Sequence, residues 1–234
     1  MIELVNVTKV LSSKAIKTVV LANASVVLPA HKRIVILGGP GSGKTSLIRM
    51  LAGHMLPNHG EINRRSRVSF PIGFLGNLKR TSREHIRHVA GLYGTEANEV
   101  LSFISALPLP GIDRIMRQPL AELPQQTRLS LAYALGYAIP FDVYLFDGTI
   151  MVGNAEFRRA CLAMFQERAR TSGMVLATRN VQFARQFGEI IGIIDQGCIA
   201  IYEDATLAIA SFKKVLAREA VNTNAIDFAE VESQ

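Results

Sequence analysis

Eight residues, Gly38–Thr45, have the types and the spacing that bind phosphate groups. They fit the pattern G-x-x-x-x-G-K-[ST], in which small residues let successive backbone N–H groups turn toward phosphate oxygens. We expect Lys44 to reach the β- and γ-phosphates of a nucleoside triphosphate, and the Thr45 hydroxyl to bind Mg²⁺. The predicted nucleotide-binding residues are Gly38, Gly39, Pro40, Gly41, Ser42, Gly43, Lys44, Thr45 and Ser46.

A second candidate functional residue is Asp147, which follows the apolar run Val143–Phe146. Such a run predicts a buried strand. A carboxylate at the end of a strand is a common Mg²⁺-binding group beside a phosphate loop. We therefore expect Asp147 to bind Mg²⁺ through water, opposite Thr45.

The elements around these residues must bring them to one edge of a sheet. The run Arg33–Leu37 before the phosphate loop predicts a strand, and Ser46–Ala52 after it predicts a helix. Helices and strands alternate again from Ala155 to Arg218. This alternation predicts an α/β fold of the P-loop NTPase type, whose mostly parallel sheet binds its ligand at the carboxyl ends of the strands.

One long segment, about residues 77–140, is mainly helical and interrupts the alternation. We interpret it as an inserted helical subdomain, whose first helix opens with the capping box Thr81–Glu84. Residues 1–220 are then predicted to form one nucleotide-binding domain, and residues 221–234 a polar C-terminal tail.

The composition indicates a globular protein, with 49% hydrophobic and 19% charged residues in 234. No apolar run is long enough to span a membrane, and no export signal opens the chain. The net charge of +7 comes from scattered arginines without interleaved aromatic residues, so nucleic acid is not an expected partner. Cys161 and Cys198 are predicted to be reduced thiols in the core.

Several longer stretches resemble the ATP-binding subunits of ABC transporters, and most of all those that export capsular polysaccharide and related glycans. The resemblance runs from Met1 to about residue 215. It is carried by Val68–Phe74, Thr81–Ile86, Ala90–Tyr93, Phe141–Asp147, Val152–Phe157 and Ile199–Tyr202, in addition to the phosphate loop.

The resemblance implies an ABC-ATPase fold, with a mostly parallel core sheet, an N-terminal antiparallel β region and the inserted helical subdomain. It implies ATP and Mg²⁺ as cofactors. It also implies two kinds of partner: a polytopic membrane permease, and a second ATP-binding subunit in a homodimer or a heterodimer. The expected location is the cytoplasm, on the cytoplasmic face of the inner membrane.

Two residues depart from this family where it carries its catalytic groups. In this family a glutamate normally follows the Walker B aspartate, which is Asp147 here, and Gly148 replaces that glutamate. The switch histidine, which the family carries after the next strand, is replaced by Arg179. Loss of a positioned general base typically costs about 10²–10⁴-fold in rate. We therefore expect weak or absent ATP hydrolysis, and we predict no catalytic residue.

Other positions of the family pattern have also changed. In the signature sequence, Pro124 and Gln126 replace a serine and a glycine. The family has a glutamine in the loop after Phe74, and the nearest amide in this chain is Asn77. Asn154 replaces the aspartate that contacts the other subunit of the dimer. The family also stacks an aromatic residue on adenine, and this chain has none near Val10.

Three functions are consistent with the sequence. The first is the ATP-binding subunit of a polysaccharide exporter, and the second is a non-catalytic pseudo-ATPase that acts as a regulatory or scaffold partner. The third, a small-molecule kinase, is disfavoured because such enzymes usually begin with the phosphate loop. The histidines His54, His59, His85 and His88 are predicted to be surface or packing residues, since their spacing is not that of metal ligands.

Overall fold

The computed structural model describes residues 1–12 and 17–231, with side chains described as far as Arg218. The nine strands within these residues are β1 Ile2–Ser12, β2 Lys17–Leu28, β3 Arg33–Leu37, β4 His59–Arg64, β5 Val68–Ile72, β6 Val143–Asp147, β7 Gly173–Thr178, β8 Ile190–Asp195 and β9 Cys198–Tyr202. The eight α-helices of the same residues are α1 Lys44–Leu51, α2 Ser82–Leu92, α3 Ala97–Ser105, α4 Ile112–Arg117, α5 Gln125–Ala138, α6 Ala155–Thr171, α7 Val181–Phe187 and α8 Ala205–Val231. A short 3₁₀ helix spans Leu120–Glu122.

The strands form two sheets. Six of them pair in the order β5-β6-β7-β3-β8-β9, and all neighbours are parallel except β8 and β9. Strands β2, β1 and β4 form a smaller antiparallel sheet. The predicted α/β fold, with a mostly parallel core sheet and an N-terminal antiparallel region, is confirmed.

Strand β3 shows how the larger sheet is buried on both faces. Ile34 and Ile36 pack with α1 and the antiparallel sheet, whereas Val35 and Leu37 pack with α7, β8 and α8. All four side chains are at most 1% exposed. Burial of such a side chain contributes about 1.5–3 kcal/mol, so this strand is a rigid support for the phosphate loop.

Helices α2 to α5 lie between β5 and β6 and pack on one hydrophobic cluster with α6. The predicted capping box at the start of α2 is confirmed: the Thr81 hydroxyl accepts a hydrogen bond from Glu84 N at 3.3 Å, and Glu84 Oε2 accepts one from Thr81 N at 2.9 Å. Helix α4 and the 3₁₀ helix were not anticipated within this segment. Among the described residues, no helix has both the length and the apolar character needed to cross a bilayer.

The C-terminal half differs from the sequence prediction at Cys198 and in the extent of the last helix. Cys161 is buried, but Cys198 is exposed, so the prediction of two core thiols was wrong for Cys198. The reason is that Cys198 begins β9, which lies at the edge of the sheet. Helix α8 continues to Val231 through most of the segment predicted as a polar tail, and residues 232–234 lie outside the described residues.

Candidate nucleotide site

The predicted phosphate loop lies between β3 and α1, at the carboxyl edge of the larger sheet. Gly43 is the N-cap residue of α1 and has φ +98°. A Cβ atom there would lie 2.6 Å from Val20 Cγ1, so this position requires glycine for its conformation and for its space. Gly41 also has positive φ, +72°, but no atom lies within 4 Å of the place where its Cβ would be.

Lys44 begins α1 and turns back into the loop. Its Nζ donates hydrogen bonds to the carbonyl oxygens of Gly38 at 2.7 Å and Gly39 at 2.5 Å, and to Ser42 Oγ at 3.2 Å. No acidic residue lies in the first turn of the helix. The ammonium group and the positive end of the helix dipole are therefore both directed to the space that the loop encloses, which suits an anion.

Asp147 and the phosphate loop lie at the same edge because their strands run in parallel. Leu37 at the end of β3 pairs with Thr178 of β7, and Asp147 at the end of β6 pairs with Ala177 of β7. A single strand therefore separates them. Both Asp147 and Thr45 are exposed, and they are the residues whose oxygens could bind Mg²⁺ between them.

Gly148 has a backbone conformation that side chains rarely adopt. Its φ is +94°, and its N–H donates to Ala177 O at 2.8 Å. No atom lies within 4 Å of the position of a Cβ atom, so space does not exclude a larger residue here. The backbone disfavours one, because a residue with a Cβ atom is strained at this φ.

Arg179 is exposed and follows β7, the strand between β3 and β6. The next residue, Asn180, caps α7 by accepting a hydrogen bond from Phe183 N at 2.9 Å. The cap fixes the backbone directly after Arg179. A guanidinium group at this edge can pair with phosphate but cannot accept a proton.

Helix α5 begins at Gln125, and Pro124 is its N-cap residue, with φ −51° and ψ 141°. Pro124, which replaces the serine of the family's signature sequence, therefore lies directly before the first turn of the helix. Pro124, Gln125 and Gln126 are all exposed. The start of this helix therefore presents two amide side chains to solvent.

Two tyrosines on α5 contact the segment that follows Asp147, which the sequence analysis did not anticipate. Tyr133 OH donates to Thr149 O at 2.7 Å, and Tyr137 OH donates to Ile150 O at 3.3 Å. Burial raises the pKa of both hydroxyl groups well above the usual range. The available signal was the spacing of four residues, which places two hydroxyl-bearing side chains on one face of the apolar C-terminal half of the helix.

Three other positions where the sequence departs from the family take part in contacts of the fold. Asn154 caps α6 by accepting from Phe157 N at 2.9 Å. Asn77 Oδ1 accepts from Lys79 N at 2.9 Å, within the loop before α2. Val10 lies in β1 opposite Val19.

A cavity of about 480 Å³ opens beside Asp147 and extends toward α1. Arg49, His54, Tyr133 and Thr149 contribute to its walls. Burial, together with the neighbouring Arg49, lowers the pKa of His54. Within residues 1–12 and 17–231, no group of three or more His, Cys, Asp or Glu side chains is arranged to hold a metal ion.

This arrangement has the fold of an ABC-type ATP-binding cassette. The sequence model of the ABC transporter family matches residues 21–136, from β2 through most of α5. The fold is similar to that of an ATP-binding subunit of an ABC transporter, with a TM-score of 0.71 and 17% identity over 95% of this chain and 98% of that one. It is also similar to a dimeric bacterial ABC transporter cassette, with a TM-score of 0.66 and 18% identity over 84% and 95% of the two chains.

The particular relatives are ATP-binding proteins, and two of them are named for polysialic acid transport and for capsule polysaccharide export. The chain is 28% identical to the polysialic acid transport ATP-binding protein KpsT of Escherichia coli, over 92% of this chain and all of the relative. It is 27% identical to the capsule polysaccharide export ATP-binding protein CtrD of Neisseria meningitidis serogroup B, over 79% and 86% of the two chains. The ATP-binding protein BexA of Haemophilus influenzae is also 27% identical, over 87% and 94%. The chain therefore matches the ABC transporter family over residues 21–136 and is homologous to these ATP-binding proteins.

Proposed function

We propose that this chain is the ATP-binding subunit of an ABC transporter that exports capsular or related polysaccharide, and that its own ATP hydrolysis is weak. The observation that carries the export role is the similarity to KpsT over nearly the whole of both chains. The ABC transporter match also favours a transport subunit over a small-molecule kinase.

Mg·ATP would bind at Gly38–Ser46, with Lys44 beside the β- and γ-phosphates and with Thr45 and Asp147 at the Mg²⁺ ion. The contacts of Lys44 support this assignment, because its ammonium group already lies among the oxygen atoms of the loop. A phosphate oxygen can replace one of these partners while the position of the side chain is kept.

Weak hydrolysis is supported by the two residues at the same edge that replace the expected base and switch. Gly148 has no side chain, and Arg179 cannot accept a proton from the attacking water. The site therefore has groups that hold phosphate and metal, but neither of these two residues can activate water.

The partners that we propose are a polytopic membrane permease and a second ATP-binding subunit, which is either another copy of this chain or a paralogue. ABC-type ATP-binding subunits work as dimers with a membrane permease, and a cassette of the same fold is dimeric. On this proposal the chain binds from the cytoplasm to the inner face of the inner membrane. In a heterodimer, a competent paralogue would supply the missing base to one of the two sites.

The proposal is tested first by the thermal stability of the purified chain with and without Mg·ATP. At about 100 times the dissociation constant, binding adds about 2.7 kcal/mol, which raises the midpoint of a chain of this size by about 5–10 °C. We expect Lys44→Ala to abolish the shift. Lys79→Ala, which removes an exposed lysine from the loop before α2, is the matched control and should keep it. The absence of a shift in the wild type would contradict nucleotide binding.

The second candidate, a pseudo-ATPase with a regulatory or scaffold role, is favoured by the backbone of Gly148. Phosphate release by the wild type and by Lys44→Ala separates the two candidates. Turnover above that of the variant supports a weak motor subunit. Equal release, together with a retained Mg·ATP shift in the wild type, supports the non-catalytic role.

A further inference from the structure

A cleft of about 530 Å³ lies between α6 and α7. The two helices pack side by side, since the rings of Phe165 on α6 and Phe187 on α7 have their centroids 4.9 Å apart. The volume of the cleft is in the range of about 300–1,000 Å³ that is usual for small-molecule sites. Among the described residues that line it, none is assigned above to the nucleotide or to Mg²⁺.

The two ends of the cleft differ in chemistry. Each helix leaves the carboxyl end of one parallel strand and leads to the amino end of another, so both run from the carboxyl edge of the sheet to its amino edge. Arg170 near the end of α6 and Arg33 at the start of β3 therefore lie at the amino edge. Leu162 lies in the middle of α6, and Ile150 follows β6 at the carboxyl edge. The cleft is cationic at one end and apolar toward the other.

Arg33 is held in place at the cationic end. Its Nε donates to Phe187 O at 3.0 Å, and its guanidinium carbon lies 5.5 Å from the centroid of the Phe187 ring. The neighbouring acid, Glu189, already has a partner on each oxygen: Lys32 Nζ at 3.1 Å from Oε1 and Arg33 N at 3.0 Å from Oε2. Within the part of the chain that the structure describes, the hydrogen bond of the Arg33 guanidinium group is made by Nε, so its terminal nitrogens are available to an anion.

Arg170 is the second cation, and its present partner binds it weakly. Its Nη1 lies 3.5 Å from Glu167 Oε2, and the two side chains are 78% and 69% exposed. An ion pair as exposed as this one contributes little, so Arg170 can turn to another anion at little cost. No aspartate or glutamate is found among the described residues that line the cleft. A carboxylate at this end would therefore meet two guanidinium groups, which are strong donors to such an anion.

The apolar part of the cleft fits a flexible chain better than a planar ring. Phe165, Phe187 and Phe183 follow one another along it, with neighbouring rings tilted by 39° and 34°. A row of tilted rings offers no flat surface for stacking, whereas a chain can follow it, and each methylene group that it buries strengthens binding about fourfold. Gln166 and Gln186 are exposed, so their amides can stay hydrated beside a bound chain.

We propose that this cleft binds a small amphipathic anion, a straight-chain carboxylate. Its head lies between Arg33 and Arg170, and its chain extends along Phe183 toward Leu162 and Ile150. The cleft is concave and of small-molecule size, so the occupant is a free molecule rather than part of a bilayer. Binding here requires neither ATP nor a permease, and it goes beyond the function proposed above without resting on it.

The test uses three probes that separate the head from the chain: decanoate, octanoate and decan-1-ol. Each is titrated into the full chain by calorimetry, without nucleotide and below the concentration at which it forms micelles. We expect decanoate to bind about 15-fold more tightly than octanoate, because two buried methylene groups are lost. It should bind about tenfold more tightly than decan-1-ol, which has no charge for the guanidinium groups. Decanoate should also shift the methyl resonances of Ile150 and Leu162 in NMR spectra.

Two variants at exposed positions identify the site. Arg170→Gln should weaken decanoate about threefold to tenfold and leave decan-1-ol unchanged. Leu162→Glu places a carboxylate in the wall, where the side chain is 37% exposed, and should weaken decanoate at least about tenfold and decan-1-ol less. The matched controls are Arg159→Gln, on an exposed position of α6 outside the cleft, and Leu207→Glu, on α8 at a leucine that is 62% exposed. Both controls should keep the wild-type affinities.

Equal affinities for decanoate and decan-1-ol, or no dependence on chain length, would overturn the proposal. So would decanoate binding that leaves the Ile150 and Leu162 resonances unchanged. If the chain binds vesicles of phosphatidylglycerol and phosphatidylcholine but none of the three probes, the surface recognises a bilayer and the proposal is wrong. It is also wrong if sedimentation shows a dimer that Leu162→Glu dissociates and Leu207→Glu does not, because a second copy then covers the cleft. The Mg·ATP shift enters none of these results, so the two proposals stand or fall separately.

Discussion

The two halves of the candidate nucleotide site lie one strand apart, yet they are built differently. In the phosphate loop, backbone conformation and space both require glycine at position 43, and three hydrogen bonds hold the ammonium group of Lys44. In the segment after Asp147, the expected glutamate is absent, and the backbone at Gly148 disfavours it. On the function that we propose, this chain retains the geometry for holding phosphate but lacks the carboxylate that would activate water.

Gly43→Ala is the change with the largest expected effect on the phosphate-binding half. The new methyl group meets Val20 at 2.6 Å, and the backbone has φ +98°. Strain and overpacking together should lower the free energy of unfolding by about 2–4 kcal/mol and remove the Mg·ATP shift. Urea unfolding measures the first effect.

Gly41→Ala is the matched control for this prediction. It has a similar φ but no close neighbour, so it should cost only about 1 kcal/mol. Equal losses in the two variants would mean that contact with Val20 does not constrain the loop.

Gly148→Glu tests the second half of the site, the segment that follows Asp147. We expect it to cost about 1–2 kcal/mol from backbone strain alone, and Gly148→Ala to cost the same, because the space around the Cβ position is open. Turnover should rise by less than the roughly 10²–10⁴-fold that a positioned general base provides, even when Arg179→His is added. A gain of the full size, measured by phosphate release, would show that the backbone adapts easily and that only the carboxylate was missing.

Tyr133→Phe has the smallest expected effect and asks whether α5 supports the segment after Asp147. Loss of the 2.7 Å hydrogen bond to Thr149 O should reduce the free energy of unfolding by about 1 kcal/mol. Tyr137→Phe, which loses a longer bond of 3.3 Å, should cost less. The reverse order in urea unfolding would exclude Tyr133 as the stronger support.

The phosphate loop and Asp147 could be predicted from the sequence because local pattern determines both. A glycine-rich turn between a strand and a helix, and an aspartate after four buried residues, need no knowledge of distant contacts. Parallel pairing through β7 then brings them to one edge, and this too follows from the alternation of strands and helices.

Other features depended on contacts that the pattern does not contain. The polar run His59–Arg64 has no alternation, and it forms a strand because it pairs with β1. Gly60 in that strand has φ +77°, and a Cβ atom there would lie 2.3 Å from Asn6 O. The replacement of glutamate by Gly148 was visible in the sequence, but its backbone conformation was not, since glycine adopts either sign of φ with equal ease.

The conformation of Gly148 also bears on how this protein can evolve. Glycine and glutamate codons can differ by a single base, so a mutation that returns the carboxylate is readily available. Its carrier would lose stability at once, because the left-handed backbone is strained by any Cβ atom. A return to glutamate would therefore be favoured only where the gain in hydrolysis exceeds this loss of stability, or where a second change remodels the turn.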